Sequence, residues 1–357
     1  MHEMAPAEPL LRVSNVVKHF QGKRSGLLGR NRSVIHAVDD VSFEIDAGET
    51  LGIVGESGCG KSTLARTLVR LVEPTAGQAW YVDRDIFALS RKDLRAIRRD
   101  IQMIFQDPYS SVNPRMTVEA IVAEAWDGVP EAAPKRSRRS RVVELLQRVG
   151  LDADALDRYP REFSGGQLQR IGIARALAVD PRLLICDEPV SALDVSIQAQ
   201  VLNLLKQLQR DSNLACIFIS HDLAVVQHVT DRIAVMYFGK IVELGEATAL
   251  CANPSHPYTQ ALLSAVPVAA RRRDVEPDRR IRLQGELPDP SDPPSGCRFR
   301  TRCWKVEQRC LDEEPALLDR VQAGVFSACH FAEPLVDAAE MAAMATQPRS
   351  SRTQTGP

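Results

Sequence analysis

The eight residues GESGCGKS at positions 55–62 constrain this chain more than any other stretch. They follow the apolar run TLGIV and precede TLARTLVRL, whose apolar spacing is helical, so the motif falls at a strand-to-helix turn, the context a phosphate-binding loop needs. Glycines let the backbone curl until its N–H groups and the helix N-terminus face an anion, while Lys61 brings a point charge and Ser62 a hydroxyl for Mg²⁺. Gly55, Glu56, Ser57, Gly58, Cys59, Gly60, Lys61, Ser62 and Thr63 are therefore expected to cradle the β- and γ-phosphates of a nucleotide. Cys59 sits beside that helix N-terminus and close to Lys61, a setting expected to lower its pKa and make it reactive. The alternative for Cys59 is a small, inert filler.

A loop of this kind belongs to a sheet covered by helices, and the downstream sequence agrees. From Phe163 to Val242 strand and helix patterns alternate: RLLICDE, AQVLNLLKQLQR, LACIFIS, AVVQHV and RIAVMYFGKIVEL. Upstream, Leu11 to Phe20 and Ala37 to Ile45 read as strands, with the basic, Gly-rich QGKRSGLLGRNRS between them read as a loop insertion. The basic run Lys135 to Arg141 reads as a solvated helix start rather than a nucleic-acid patch. The expected fold is α/β, with a mixed or parallel sheet core over residues 10–254 that includes a helical subdomain at about 108–165. A Pro-, Arg- and Cys-rich module follows at 255–335, and residues 1–9 and 336–357 read as tails, the second disordered. The chain of 357 residues balances 45 basic side chains against 46 acidic ones, which removes any global attraction to nucleic acid. Its longest apolar stretches, such as Leu214 to Ile219, fall short of the roughly 20 residues of a membrane span. The start MHEMAPAEPL lacks the layout of a secretion signal, so the expected address is cytosolic.

Two further segments bear on the nucleotide. Leu183 to Glu188 is an apolar strand ending in two carboxylates, where Asp187 would hold Mg²⁺ through water and Glu188 would polarise an attacking water. Alone this is weak, since strand ends often carry acids for solubility. Between the two motifs lies FSGGQLQRIGIARAL, Phe163 to Leu177. Its Ser164, Gly165, Gly166 and Gln167 open a helix, a second anion-binding N-terminus for which the chain's own phosphate loop has no need. The bland reading is a helix capped by Ser164.

With these motifs in order, Leu11 to Glu246 resembles the ATP-binding cassette (ABC) family. Gln106 in IQMIFQDPYSSVNP stands where that family has its Q-loop, Ser191, Ala192, Leu193 and Asp194 look like its D-loop, and His221 in FISHDL looks like its switch histidine. Phe20 is similar to the aromatic that stacks on adenine. The resemblance implies an ATPase in which Lys61, Glu188 and His221 are catalytic and Ser62, Gln106 and Asp187 hold Mg²⁺. It also implies a head-to-tail dimer in which Ser164 to Gln167 face the ATP of the partner. More closely, MIFQDPYSSVNPRMTV, DEPVSALDVSIQAQVLNLL, NPSHPYTQALLSAVP and LQGELPDPSDPPSGCRF look like the dipeptide and oligopeptide importer ATPases, the second of the two such systems pair. That likeness implies a heterodimer with a distinct second ATPase, two integral membrane permease subunits, an extracytoplasmic solute-binding protein, and a peripheral place on the cytoplasmic face of the membrane. Nickel importers share much of the pattern, so nickel or another small solute is the alternative cargo. A soluble ABC protein acting on ribosomes or DNA would carry two cassettes or a long coiled-coil insert, and neither a repeat nor a heptad run is present. A small-molecule kinase would have no use for SGGQ.

Four of the eight cysteines, Cys297, Cys303, Cys310 and Cys329, crowd into the C-terminal module. In a cytosolic chain this favours a metal group over disulfides. The gaps of five, six and eighteen residues suit a [4Fe-4S] cluster better than Zn²⁺, whose sites usually bring two ligands close together in sequence. Zn²⁺ and free thiols stay open as alternatives, and the importer resemblance also implies a cluster. The module is expected to lie far from the ATP site, with a folding role first and redox sensing second. Cys186, inside an apolar strand, is expected to be a buried hydrophobe.

Overall fold

The computed structural model describes residues 8–25, 31–129, 133–134, 137–266, 281–285 and 288–334. β1 (Leu11–Ser25) and β2 (Asn31–Ile45) form a long antiparallel hairpin. β3 (Thr50–Val54) leads into α1 (Lys61–Leu68), β4 (Ala76–Tyr81) and β5 (Arg84–Asp85) return beside β1, and α2 (Arg91–Asp100) runs into β6 (Ile101–Ile104). A helical region of α3 (Val118–Ala123), α4 (Arg138–Arg148) and α5 (Gly165–Leu177) follows. Then come β7 (Leu183–Asp187), α6 (Val195–Ser212), β8 (Ala215–Ser220), α7 (Leu223–Val229) and β9 (Arg232–Tyr237), the alternation read from the sequence. β10 (Lys240–Glu246) turns back on β9, and α8 (Ala247–Ala252), α9 (Pro257–Ala265), α10 (Gln308–Asp312), β11 (Leu318–Gln322) and β12 (Val325–Ser327) complete the chain.

These strands build two sheets. The smaller is antiparallel, in the order β2-β1-β4-β5; the larger runs β11-β12-β10-β9-β3-β8-β7-β6, parallel from β9 to β6 and antiparallel beyond. The parallel strands are near-continuous apolar runs because both of their faces are covered, with polar residues mainly at their ends. Alternate side chains go to alternate cores. Leu183, Ile185, Ile217 and Ile219 pack toward the small sheet, α1 and α2, while Leu184, Cys186, Cys216 and Phe218 pack toward α5, α6 and α7. Cys186 is fully buried, its sulfur 3.8 Å from that of Cys216, as its place in an apolar strand implies.

The hairpin corrects one expectation. The stretch 21–33 read as a loop, but its described part continues the strands, with Gln21 opposite Val34 and Ser25 opposite Asn31. A hairpin needs backbone partners, not apolar alternation, so a basic and Gly-rich composition conceals it. Residues 26–30, and nearly all of the two tails read at 1–9 and 336–357, lie outside the described residues. The described part of the basic run, from 137 on, does open a helix: Arg138 pairs with Asp127 at 2.8 Å and lies over the Trp126 ring, and Arg139 pairs with Asp157 at 2.9 Å.

The C-terminal segment, set apart by its composition, shares the sheet and the core of what precedes it. Glu243 and Leu244 of β10 pair with Ser327 and Phe326 of β12, and Tyr258 and Phe299 pack with Tyr237 in one apolar cluster. A buried carboxylate fastens the join. Glu243 accepts the N–H and hydroxyl of Ser255, both at 2.7 Å, and the N–H of His256 at 3.3 Å, so the acid carries its own partners into the core.

Candidate nucleotide site

β3 stops at Val54, and the chain must turn sharply to start α1. Gly60 makes that turn with φ of 109°, and a Cβ there would stand 2.0 Å from the carbonyl oxygen of Ala37, so only glycine fits. Lys61 is the first residue of α1. Its buried ammonium donates to the loop's own carbonyls, to Gly55 O at 2.7 Å and Glu56 O at 2.9 Å. A cleft of about 270 Å³ opens beside the loop, walled by Ser57 to Thr63 in part, by Gln106 and Glu188, and by Ile35, His36, Phe238 and Pro290.

Neighbouring parallel strands end together, so the residues that follow β6, β7 and β8 meet at one place. Gln106 follows β6, Glu188 follows β7 and His221 follows β8. All three converge on one oxygen: Glu188 Oε2 accepts from Gln106 Nε2 at 3.0 Å and faces His221 Nδ1 at 3.3 Å. Glu188 holds φ at 48°, the left-handed region that a side chain seldom occupies unless its surroundings compel it. At the end of β7, Asp187 Oδ1 accepts the Ser62 hydroxyl at 2.6 Å. Its other oxygen, Oδ2, is buried with no hydrogen-bond partner, and the Arg66 guanidinium stands 3.9 Å away. Burial pushes the Asp187 carboxyl above the usual carboxylate range, by more than Ser62 and Arg66 pull it down. An orphaned carboxylate oxygen beside a serine hydroxyl is a donor set that fits Mg²⁺.

The SGGQ segment lies elsewhere. Ser164 caps α5, its Oγ accepting the Gln167 N–H at 3.3 Å while Gln167 Oε1 accepts the Ser164 N–H at 3.0 Å. Ser164 and Gln167 are exposed and form no wall of this cleft. The SALD segment adjoins them: the Ser191 hydroxyl donates to Glu188 O at 3.1 Å, a Cβ on Gly165 would touch Leu193 at 3.4 Å, and Val195, one residue past Asp194, is 81% exposed. Phe20 is 36% exposed, with the Lys18 ammonium 4.7 Å from its ring centroid, and stands opposite Ile35 in the hairpin rather than in the cleft wall.

Two expectations are corrected here. Cys59 is buried, and burial pushes its thiol up by more than the Lys61 ammonium, 3.8 Å from the sulfur, pulls it down. The sequence showed the charge and the helix end but not the depth. The cysteine-bearing segment is not remote from the ATP site either. Arg302, next to Cys303, makes a two-pronged ion pair with Glu56 at 2.7 and 3.2 Å, and the Tyr258 hydroxyl accepts the Glu56 N–H at 2.8 Å. Arg302 and Tyr258 went unnoticed because nothing in the sequence links them to a loop some two hundred positions earlier. His36 was missed too. With His19 and Asp39 it forms the one trio, among the described residues, whose histidine, cysteine or acidic ligating atoms all lie within 4.8 Å of one another. Burial would raise the Asp39 carboxyl, but Arg298, Lys240 and His19 together pull it below its ordinary value, so the trio is an ion-pair cluster already supplied with cations.

The four C-terminal sulfurs are spread more widely than that trio, no three of them falling within 4.8 Å of one another. Thiolates sharing one Zn²⁺ at about 2.3 Å would sit about 3.8 Å apart. Cys303, Cys310 and Cys329 are buried and Cys297 nearly so, and burial pushes the Cys297 thiol up to about 11 and that of Cys303 up to about 12. Four thiols gathered in one largely buried segment are a donor set that a thiolate-held metal group would fit.

Residues 38–191 match the ABC transporter family model, and residues 242–310 match the model for the C-terminal region of oligopeptide/dipeptide transporters. The oligopeptide transport ATP-binding protein AppF of Bacillus subtilis is 52% identical over 91% of this chain and 98% of its own length. OppF of Salmonella typhimurium, also an oligopeptide transport ATP-binding protein, is 50% identical over 86% and 92% respectively. Among solved structures, the dimeric post-hydrolysis state of the ATP-binding cassette MJ0796 bound to ADP and Pi superposes with a TM-score of 0.59 at 29% identity, covering 66% of this chain and 98% of that one.

Proposed function

Because the chain belongs to the ABC transporter ATP-binding proteins, in the group that carries the oligopeptide/dipeptide transporter C-terminal region, we propose that it hydrolyses ATP to drive import of short peptides across the cytoplasmic membrane. The observation that carries this reading is the convergence of Gln106 and His221 on one oxygen of Glu188, at the edge of a phosphate loop whose lysine is held by the loop's own carbonyls. Lys61 exchanges those carbonyls for the β- and γ-phosphates, and the N–H groups of Gly55 to Thr63 cradle the rest. Ser62, Asp187 and Gln106 would hold Mg²⁺, which when bound would supply charge neutralisation at the γ-phosphoryl group. Once released by Gln106, Glu188 would be free to orient the attacking water, and His221 would contact the γ-phosphate. Phe20 lies against the base.

The chain supplies half of each working site. Ser164 and Gln167 are exposed at the start of α5, with Gly165 half-buried and Gly166 buried between them, beside Ser191 to Asp194 and the exposed Val195, a surface suited to the nucleotide of a second ATPase. That partner is a similar but distinct chain, and closure of the pair on ATP is coupled to two integral membrane permease subunits fed by an extracytoplasmic solute-binding protein. No helix among the described residues is long and apolar enough to cross a membrane. A groove of about 390 Å³ bordered by Leu71, Met103 and Phe105, just ahead of Gln106, supports docking of the permeases there, at the cytoplasmic face of the membrane. Cys297, Cys303, Cys310 and Cys329 hold a [4Fe-4S] cluster, whose contribution is to staple a short polar segment.

Purification from membranes tests the assembly. Permeases and a second ATPase should co-purify, and peptide-loaded binding protein should stimulate hydrolysis; co-purifying ribosomes or DNA, or no stimulation by any peptide, would overturn it. Protein made without oxygen should be brown with about four irons per chain, and colourless protein with one zinc would overturn the cluster.

A further inference from the structure

The segment between Cys297 and Cys303 sends two arginines behind the nucleotide cleft, one to the carbonyl of a cleft-wall residue and one to the phosphate loop. Arg298 donates to Phe238 O at 2.7 Å and meets the Asp39 carboxylate; Arg302 makes the two-pronged pair with Glu56. Both guanidinium side chains are only 10% exposed. Between them Phe299 is almost completely buried, edge-on to Tyr237 at 5.2 Å and tilted against Tyr258 at 5.5 Å. The Tyr258 hydroxyl in turn takes the N–H of Glu56, so the second residue of the phosphate loop is gripped at backbone and side chain by the C-terminal segment. Cys303 follows Arg302 directly, and the N–H of Cys297, adjoining Arg298, is bound to Cys310 O at 2.9 Å.

We propose that Arg302 is a positioning residue for MgATP, acting through Glu56, and that it couples nucleotide affinity to whether the four C-terminal sulfurs are held together. The proposal rests on the ATPase reading above but not on which metal group the sulfurs carry. Two effects give it direction. Glu56 puts a carboxylate on the loop that must accept a triphosphate, and Arg302 cancels that charge where low exposure makes it costly to leave unpaired. The same pair removes side-chain freedom from a loop whose N–H groups must converge on phosphate. Release of the sulfurs frees the segment that carries Arg302, and the loop then gains both charge and mobility. Linkage requires the reverse: bound nucleotide must tighten the grip on the sulfurs by the same factor.

The experiment uses the metal-loaded full chain, with a fluorescent ATP analogue and Mg²⁺ reporting affinity and the rate at which a thiol reagent reaches Cys303 reporting the sulfurs. Arg302→Ala should weaken MgATP binding about tenfold, and Arg302→Lys, which keeps the charge but not the fork, should recover part of it. Adding Glu56→Gln to Arg302→Ala should restore the part of the affinity lost to uncancelled charge, whereas a purely structural loss would persist in full. In the wild-type chain saturating MgATP should slow thiol exposure severalfold, and in Arg302→Ala it should not. Equal exposure rates with and without MgATP in the wild-type chain, or unchanged affinity in Arg302→Ala, would refute the coupling. A chain that binds no ATP analogue at all would instead refute the ATPase reading.

Discussion

Gly166 separates a packing role from a chemical one. A Cβ at this position would stand 2.4 Å from Cγ2 of Ile197, so Gly166→Ala forces α5 and α6 apart where the SGGQ and SALD segments adjoin. Alanine in a helix interior gains about 1 kcal/mol over glycine, while overpacking of this kind costs about 1–3 kcal/mol. The net loss is therefore about 0–2 kcal/mol, and the clash itself is better isolated by a second change. Ile197→Ala removes the obstructing methyl and alone costs about 1–2 kcal/mol for a half-buried site. In the double variant the clash vanishes, so the losses should fall short of additivity by about 1–3 kcal/mol. Urea unfolding followed by the fluorescence of the three tryptophans measures this. Additivity within about 0.5 kcal/mol would refute the steric reasoning. Hydrolysis by the assembled transporter supplies the other half: if Gly166 also makes room for the partner's nucleotide, activity stays lost when stability returns, and its recovery would remove Gly166 from the site.

Glu188→Gln should leave ATP binding intact and lower hydrolysis by about a hundredfold or more, since it removes the water-orienting carboxylate and none of the phosphate cradle; turnover near wild type in the assembled transporter would contradict this. Cys59 should react with maleimide at neutral pH far more slowly in the folded chain than in urea, because burial keeps it a thiol; rapid labelling of the folded chain at this position would show the correction to be wrong. His256 is buried and neutral, its pKa lowered by burial from 6.5 to about 3, so unfolding lets it take a proton that the folded state refuses. Stability from this group is present above about 6.5 and is lost as pH falls toward 3. His256→Asn keeps a capping acceptor for the Tyr258 N–H and should flatten the slope of stability across that window, while an unchanged slope would assign the acid sensitivity to other groups.

What was legible in the sequence is what repeats locally. The phosphate loop, the apolar strands with covered faces and the helix opened by Ser164 each announce themselves within a dozen residues, and the parallel sheet then brings Gln106, Glu188 and His221 together without further instruction. Distances across the fold were not legible. Cys59 carries the local marks of a reactive thiol, and only the packing of the loop against Tyr258 and Met236 reveals its burial. The hairpin arms at 21–25 and 31–34 are held by backbone pairing that composition does not record. Arg302 and Tyr258 act on Glu56 through a join made late in the chain, by Glu243 and the pairing of β10 with β12, and a boundary drawn from the change in composition at 255 hides that join.

That pairing decides how short the protein can be made. Ile241 to Gly245 are buried, and Glu243 and Leu244 find their outer partners only in Ser327 and Phe326. A chain cut after residue 254 would present a bare, largely apolar strand edge to solvent, an invitation to cross-chain pairing. It would also strand the Glu243 carboxylate in the core without Ser255 and His256. The smallest version that keeps this edge covered must therefore run through Ser327, some seventy residues past the point where the sequence first suggests that the cassette is finished.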